Sequence, residues 1–185
     1  QNKKFIEICT FFDNIKLKSL CNSSGIFFDK KFHHNLVRPG IALYGGHNNN
    51  IRLKKIIKPV IKLKAKVLQI KKLKKNEFVG YDNTYKTYKY TTVAVLGIGY
   101  GDGIFRNLSN KGYVFYKKNK FKIIGRVSMD SITIDISKHK KIVREGIFME
   151  IINYEYDIEK LAKMCGTISN EILTSITNRV KRIYI

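Results

Sequence analysis

The chain has 185 residues, which is enough for one domain or for a small domain and part of another. Hydrophobic residues make up 44% of it, which permits a core, and no apolar run approaches the roughly 18 residues that cross a bilayer. We therefore expect no membrane partner. The three cysteines form no C-x-x-C pair, which argues against a disulfide framework or a zinc site and favours the cytoplasm. The four histidines lack metal-ligand spacing, so we expect no metal and place them at the surface.

The formal net charge is +22, from 36 Lys and Arg residues against 14 Asp and Glu. Such a charge can indicate nucleic acid as a partner. The lysines, however, are spread among Ile, Leu and Tyr, and no helix-turn-helix, zinc finger or aromatic RNA-binding motif accompanies them. Abundant Lys, Ile and Asn beside scarce Pro and Trp are typical of an AT-rich genome. We interpret most of the charge as a solvated surface, with nucleic acid binding as the minority alternative.

The first 59 residues mix several kinds of segment. The predicted segments are a helix end at 1–12, a short strand at Ile15–Leu20, a polar turn at Cys21–Gly25 and a helical or irregular stretch at Phe27–Asn35. An apolar run follows at Leu36–Gly45, interrupted by Arg38 and by a Pro-Gly turn signal. The best linker candidate is His47–Asn50, with a boundary as late as Pro59.

From Val60 onward the pattern is that of a β domain. Residues 60–68 alternate apolar and basic side chains, the period of two that a half-buried strand shows. Phe78–Tyr85 predicts a strand end and a tight turn. Further strands are predicted at Thr91–Ile98, Tyr113–Tyr116, Phe121–Ile124, Ser131–Ile136, Ile147–Ile152 and Val180–Ile185. Two late helices are predicted at Asp157–Cys165 and Ile168–Ile176, with Asp157 and Thr167 as their N-caps.

Two glycine-rich segments are the most informative local motifs. Gly97–Gly103 follows an apolar strand and brackets one Tyr and one Asp with glycines, and Gly125–Asp130 is also flanked by strands. Glycine is used where the backbone takes a positive φ or approaches another group closely. A surface hairpin would explain one such turn, but two strand-flanked motifs favour a site.

Three other positions carry candidate chemistry. The turn around Ser23 offers hydroxyl and backbone N–H groups to a phosphate, although most such turns bind nothing. Arg38 lies among apolar residues and needs a partner, which is either a structural salt bridge or a ligand. Gly40 and Ile41 follow it with free backbone N–H groups after the turn. Tyr81, after Gly80, can act as a general acid or base if nearby cations lower its pKa from about 10.

Taken in order, the motifs resemble those of bacterial alanine racemase over essentially the full length of the chain. The matching segments are Asn22-Ser23, residues 37–45, Gly80-Tyr81, residues 99–103, residues 125–130 and residues 166–169. Each motif is modest, but the ordered set is specific. The resemblance implies a mainly β fold, with the last strands of an incomplete (β/α)8 barrel at 1–59 and the family's C-terminal β domain at 60–185.

The resemblance also implies a pyridoxal 5'-phosphate enzyme that interconverts L- and D-alanine, supplying D-alanine for peptidoglycan. Ser23 and the backbone of Gly40 and Ile41 would hold the cofactor phosphate, and Arg38 would face the pyridine nitrogen. Tyr81 would be the catalytic tyrosine, opposite a lysine on the other face of the substrate. Tyr100 and Met129 would shape the entrance and the carboxylate site for a small amino acid.

The family forms homodimers in which the β domain of one subunit completes the active site of the other, so a homodimer with shared sites is implied. Two departures matter. No part of this chain corresponds to the cofactor-binding lysine, so the chain, which begins with Gln1, is expected to be an inactive fragment on its own. Asn178 stands where many members have a tyrosine that touches the phosphate. The alternatives are a racemase of the same fold for another amino acid, such as serine, and a non-catalytic basic module that binds nucleic acid.

Overall fold

The computed structural model describes residues 1–12, 14–47 and 50–185, which form two compact units, Gln1–Val60 and Ile61–Ile185. We call these unit 1 and unit 2. Part of the linker predicted at His47–Asn50 lies outside the described residues. The helices are α1 Asn2–Cys9, α2 Ser23–Ile26, α3 Ile51–Ile56, α4 Ile158–Cys165 and α5 Ser169–Ser175. The strands are β1 Leu63–Leu73, β2 Phe78–Val79, β3 Tyr85–Lys86, β4 Thr91–Leu96, β5 Tyr113–Tyr116, β6 Asn119–Lys122, β7 Ile132–Asp135 and β8 Phe148–Ile152.

Unit 2 is built on a six-stranded antiparallel sheet in the order β6-β5-β8-β1-β4-β7. The long strand β1 pairs with β8 through its first half and with β4 through its second half, with an irregularity between Val67 and Gln69. The edge strands β6 and β7 meet through an antiparallel bridge between Ile123 and Ile134. This bridge closes the sheet on itself and removes its free edges.

The core of unit 2 lies inside this closed sheet. Along β1, Leu63, Ala65 and Val67 are buried, while Lys64 and Lys66 between them are exposed, as the period of two predicts. The lysines of this strand therefore lie on a solvated face. The largest fully buried side chains are Phe121, Leu96, Leu108, Ile123, Ile124, Ile132, Ile134, Ile136, Met149, Ile151, Ile152 and Val67.

The two helices that follow β8 confirm one predicted cap and correct another. Asp157 caps α4, because its carboxylate accepts a hydrogen bond from the Lys160 N–H at 3.0 Å. The N-cap of α5 is Ile168 rather than Thr167, whose hydroxyl instead contacts the Glu171 carboxylate. The strand predicted at Val180–Ile185 is wrong: these residues take part in no strand, and all of them except the half-buried Val180 are exposed.

Unit 1 has helices but no strand among its described residues, so the strand predicted at Ile15–Leu20 is wrong. Within the segment, the Lys18 carbonyl accepts hydrogen bonds from the N–H groups of Asn35 and Leu36, and just after it a single parallel bridge joins Asn22 to Arg38. Parallel strands are stable mainly in sheets that are covered on both faces. One bridge inside unit 1 does not make such a sheet.

Two further expectations concern histidines and membranes. His47 is buried, with 7% of its surface exposed, so the expectation of surface histidines is wrong there. His33 and His34 are half-buried. Within the described ranges, no helix has the length and apolar character needed to cross a membrane.

Candidate active site

In unit 1, the structure brings Ser23 and Gly40 together. Asn22 accepts a hydrogen bond from the Gly25 N–H at 3.0 Å and starts α2, so Ser23 is the first residue of that helical turn. The buried Ser23 hydroxyl oxygen accepts hydrogen bonds from the N–H groups of Gly40, at 2.8 Å, and Ala42, at 3.3 Å. Ile41 lies between these donors and begins a 3-10 turn, Ile41–Tyr44. A hydroxyl and several backbone N–H groups therefore converge at one point.

Arg38 is fixed beside this cluster by the backbone bridge to Asn22. Its Nη1 donates hydrogen bonds to the Ser19 carbonyl, at 3.1 Å, and to the Ser19 hydroxyl. The side chain is exposed, and a guanidinium carries further N–H groups on Nε and Nη2. Arg38 is thus a cation anchored at one nitrogen, with donors left for another acceptor.

In unit 2, Tyr81 stands on the turn between β2 and β3. Gly80 has a φ of +77°, and a side chain there would lie 2.9 Å from the Arg126 backbone nitrogen, so glycine is required. Arg126 Nε also lies 3.3 Å from an Asp82 carboxylate oxygen. These contacts hold the turn against the segment Gly125–Asp130 and leave the Tyr81 side chain 69% exposed.

The same segment also holds the turn that carries Tyr100. The N–H of Tyr100 donates to the Ser128 carbonyl and that of Gly101 to the Met129 carbonyl, both at 2.9 Å. The side chains of Tyr100 and Met129 are about half exposed. Three residues predicted for the site, Tyr81, Tyr100 and Met129, are therefore attached to one loop, Gly125–Asp130.

Asp102 stabilises the Gly99–Gly103 turn. Its buried carboxylate accepts the Gly99 N–H at 2.8 Å through Oδ2, while Oδ1 lies 3.2 Å from Arg179 Nε. Arg179 also pairs with Asp130 through Nη2. The hydrogen bond that Arg179 donates to the Asp130 carboxylate, and then the charge of Asp102, raise the pKa of the Arg179 guanidinium, so it stays protonated.

The sequence patterns did not predict the residues whose side chains accept hydrogen bonds from the Gly125–Asp130 loop, namely Asn110 and Ser109. The Gly125 N–H donates to the Asn110 side chain at 2.7 Å, and the Val127 N–H donates to the Ser109 hydroxyl at 3.0 Å. The turn-forming residues Ser, Asn and Gly between Leu108 and β5 were the available signal, but they did not say which loop they hold.

Two sets of groups therefore have distinct chemistry. The set in unit 1 places a buried hydroxyl and backbone N–H groups beside an exposed guanidinium, and groups of this kind suit an anion such as a phosphate. The set in unit 2 has the exposed phenol of Tyr81 on one turn, with the half-exposed side chains of Tyr100 and Met129 attached to the same loop. Among the described residues, no group of three or more His, Cys, Asp or Glu could hold a metal ion.

Comparison with known families shows to which family the chain belongs. Residues 60–184 match the family model described as "Alanine racemase, C-terminal domain". The chain belongs to the alanine racemase family. Residues 1–48 match the model described as "Alanine racemase, N-terminal domain". The ordered motifs thus identified the family correctly, and the mainly β fold of its C-terminal domain is confirmed.

Curated alanine racemases of two genera illustrate the sequence similarity. The protein of Brucella ovis is 40% identical over 181 residues, which cover 90% of this chain and 46% of that protein. The protein of Rickettsia bellii is 40% identical over 188 residues, covering 100% of this chain and 45% of that protein. The chain thus spans about half the length of the curated alanine racemases that it matches.

Solved structures extend the similarity to the fold. The alanine racemase of Bartonella henselae, whose structure contains covalently bound pyridoxal phosphate, aligns with 100% of this chain and 52% of its own at a TM-score of 0.84 and 38% identity. The alanine racemase of a D-cycloserine-producing Streptomyces lavendulae aligns with 99% of this chain and 50% of its own, at a TM-score of 0.89 and 26% identity.

Proposed function

We propose that this chain is the C-terminal part of an alanine racemase that interconverts L- and D-alanine with pyridoxal 5'-phosphate, and that the D-alanine is used for peptidoglycan. The observation that carries the proposal is the alignment of this whole chain with 52% of the Bartonella henselae enzyme, whose structure contains covalently bound pyridoxal phosphate. In the proposed division, residues 1–59 belong to the cofactor-binding barrel and residues 60–185 are the C-terminal β domain.

The groups in unit 1 fit the cofactor's phosphate. The Gly40 N–H donates to the Ser23 hydroxyl oxygen at 2.8 Å, which leaves the hydroxyl proton of Ser23 to donate to a phosphate. Ser23, Gly40 and the Ile41 N–H would therefore hold the phosphate. When bound, the cofactor stabilises negative charge at the substrate Cα.

Arg38 would face the pyridine nitrogen. A guanidinium is always protonated and acts only as a donor, so it hydrogen-bonds to this nitrogen and leaves it without a proton of its own. A ring nitrogen without a proton attracts electrons less strongly. Arg38 thereby favours simple proton exchange at Cα over side reactions that need stronger electron withdrawal.

Tyr81 would hold and move the proton at one face of the substrate Cα. The Gly80 turn and the Asp82–Arg126 pair fix its backbone, while its phenol stays accessible. Racemisation needs a second base on the opposite face, which in this family is a lysine that this chain does not contain. Tyr100 and Met129, on the neighbouring turn and loop, would shape the entrance and the substrate carboxylate site.

The active enzyme would be a cytoplasmic homodimer. In the proposed arrangement, Tyr81 of one subunit serves the active site built around Ser23 and Arg38 of the other. The chain taken alone would be inactive, because it lacks the cofactor-binding lysine.

The test is Tyr81→Phe in the protein expressed from its complete gene and loaded with cofactor. Because one proton-transfer group is removed, we expect conversion of L-alanine to D-alanine to fall by about 10²- to 10⁴-fold. Exchange of the Cα proton in deuterated water checks the same step directly. Tyr88→Phe is the matched control, since Tyr88 is 81% exposed in the same unit and we expect full activity.

Undiminished racemisation in Tyr81→Phe would remove Tyr81 from the mechanism. Absence of racemisation in the wild-type holoenzyme would overturn the proposed function. A higher kcat/KM for serine than for alanine would favour the racemase alternative with another substrate.

One observation favours a second function. The net charge of +22 suits a polyanion, so the non-catalytic alternative predicts that the protein is retained on DNA or RNA and released by salt. Lack of retention at physiological salt would exclude it.

A further inference from the structure

Arg179 connects three segments that the proposed active site uses. Its Nε lies 3.2 Å from Asp102 on the Gly99–Gly103 turn, and its Nη2 pairs with Asp130 on the Gly125–Asp130 loop. Its own backbone belongs to the segment after α5. One guanidinium therefore joins the turn that carries Tyr100 to the loop that carries Met129.

The geometry points to Arg179 as a positioning residue that sets the spacing between Tyr100 and Met129 and so tunes the affinity for the amino-acid substrate. The inference rests on the proposed function, in which these two residues form the entrance and the carboxylate site. Arg179 itself touches neither substrate nor cofactor in this proposal. It acts through the two carboxylates.

The sequence provides space for this contact at Gly101. A side chain built on Gly101 would collide with Arg179 Nη1, and the next nearest atom would be the Met129 carbonyl oxygen at 3.1 Å. Glycine at this position therefore lets the guanidinium lie directly on the turn. The planar fork of arginine can reach two carboxylates at once, which the single ammonium of lysine does less well.

Side-chain hydroxyl groups of neighbouring residues hold the Arg179 segment against the same turn. The Thr177 hydroxyl donates to the Gly101 carbonyl at 2.9 Å, and the Ser175 hydroxyl donates to the Gly103 carbonyl at 3.3 Å. The contacts of these neighbouring residues therefore hold the backbone of Arg179 close to the turn, so its position does not depend on its flexible side chain alone. Asn178, which stands where many family members have a tyrosine that touches the phosphate, lies in this same segment.

Of the two carboxylates that Arg179 contacts, that of Asp102 is nearly buried and that of Asp130 is exposed. The Asp102 side chain is 12% exposed and also accepts the Gly99 N–H, whereas that of Asp130 is 66% exposed. A charge-assisted bond to a partly buried carboxylate is stronger than an exposed ion pair. Loss of Arg179 should therefore release mainly the Asp130 loop and, with it, Met129.

The experiment compares Arg179→Gln and Arg179→Lys with wild type in the holoenzyme expressed from the complete gene. For Arg179→Gln we expect KM for L-alanine to rise about tenfold with kcat changed less than about threefold, because a misplaced rim weakens binding while Tyr81 is intact. A tenfold change corresponds to about 1.4 kcal/mol. Arg179→Lys should restore part of the KM, since it keeps the charge.

A second measurement does not depend on activity. Amide hydrogen exchange at residues 99–103 should become at least about tenfold faster in Arg179→Gln, because the Tyr100 and Gly101 N–H groups bond to the Asp130 loop. Exchange in β5 should stay unchanged. Lys181→Gln and Arg144→Gln are matched controls that each remove an exposed positive charge from the same unit, and both should behave as wild type in every assay.

Each outcome decides the proposal. Asp130→Asn combined with Arg179→Gln should raise KM no further than Arg179→Gln alone, because Asp130→Asn removes only the ion pair that Arg179→Gln has already removed. An unchanged KM and unchanged exchange in Arg179→Gln would overturn the proposal, as would an equal fall in kcat and kcat/KM. If the wild type does not racemise alanine, the proposed function fails, while exchange still tests the link. If Arg179→Gln does not fold, Asp130→Asn and Arg179→Lys decide.

Discussion

The two units of this chain use apolar residues in opposite ways. In unit 2 the apolar side chains of six strands and two helices meet in one core, with Ala94, Val114 and Ile134 fully buried. In the described part of unit 1 the buried hydrophobic residues are Cys21, Ile41 and Leu53. The large apolar side chains that unit 1 exposes are Ile6, Ile8, Phe11, Phe12, Ile15, Leu17, Phe27, Phe28, Leu36, Leu43, Tyr44, Ile56 and Val60.

The difference indicates that unit 1 has many apolar residues but does not bury them within itself. None of the residues of α1 is buried, although its sequence, NKKFIEIC, contains several apolar side chains. Exposed apolar surface of this extent marks a surface that packs against other polypeptide. In the proposed enzyme that polypeptide is the rest of the cofactor-binding barrel, which fits a chain that spans about half the length of the racemases it matches.

The largest expected effect is on independent folding. Residues 61–185 expressed alone should unfold cooperatively in urea, because their closed sheet encloses a core of ordinary size. Residues 1–60 expressed alone should show no cooperative transition in circular dichroism. A sharp transition for residues 1–60 would mean that the exposed side chains listed above are compatible with a stable fold, and the comparison between the units would fail.

A smaller effect is expected from shortening one isoleucine in each unit. Ile134 lies at the closure of the sheet and is fully buried, so Ile134→Ala should lower the free energy of unfolding of unit 2 by about 2–5 kcal/mol. Ile8→Ala, in unit 1, should change the free energy of unfolding of the chain by less than about 0.5 kcal/mol, because Ile8 is exposed. Urea titration of the chain gives both values, and Ile168→Ala is the exposed control within unit 2. Equal costs for Ile134 and Ile8 would contradict the contrast.

The same contrast explains which parts of the fold the sequence could predict. Period-two patterns located the strands of unit 2, and Tyr113–Tyr116 was predicted with the observed bounds, because each strand buries one face within its own unit. Ile15–Leu20 has a strand-like composition, but the pairing that would make it a strand is not available in unit 1. A local sequence pattern can show that a segment has the residues of a strand, but it cannot show whether another strand is present to pair with it.

The site divides in a similar way. Glycines and turn residues mark the turns and the loop on which Tyr81, Tyr100 and Met129 lie, while the roles of these three residues come from the resemblance and stay predictions. Arg179 left no local signal, since its partner Asp130 lies 49 residues away in sequence. Burial of His47 was also missed, because no periodic pattern surrounds it.

The smallest expected effect is the alkaline behaviour of unit 2. Burial, and then the charge of Glu171, raise the pKa of the Cys165 thiol from 9.0 to about 11. Burial, and then the neighbouring Cys165, raise the pKa of Tyr156 from 10.0 to about 12. Both groups keep in the folded state a proton that the unfolded chain releases. Their contribution to stability is therefore complete below pH 9 and is lost as the pH rises towards the two raised values.

Urea titration of residues 61–185 between about pH 7 and 11 measures this loss. Cys165→Ala removes the group that titrates first, so the decline in the free energy of unfolding above pH 9 should become shallower. Tyr156→Phe should leave the decline near pH 9 unchanged and reduce it only above pH 10. An identical decline in wild type and Cys165→Ala would mean that the thiol is not enclosed where α4 packs, and that the core of unit 2 ends short of this helix.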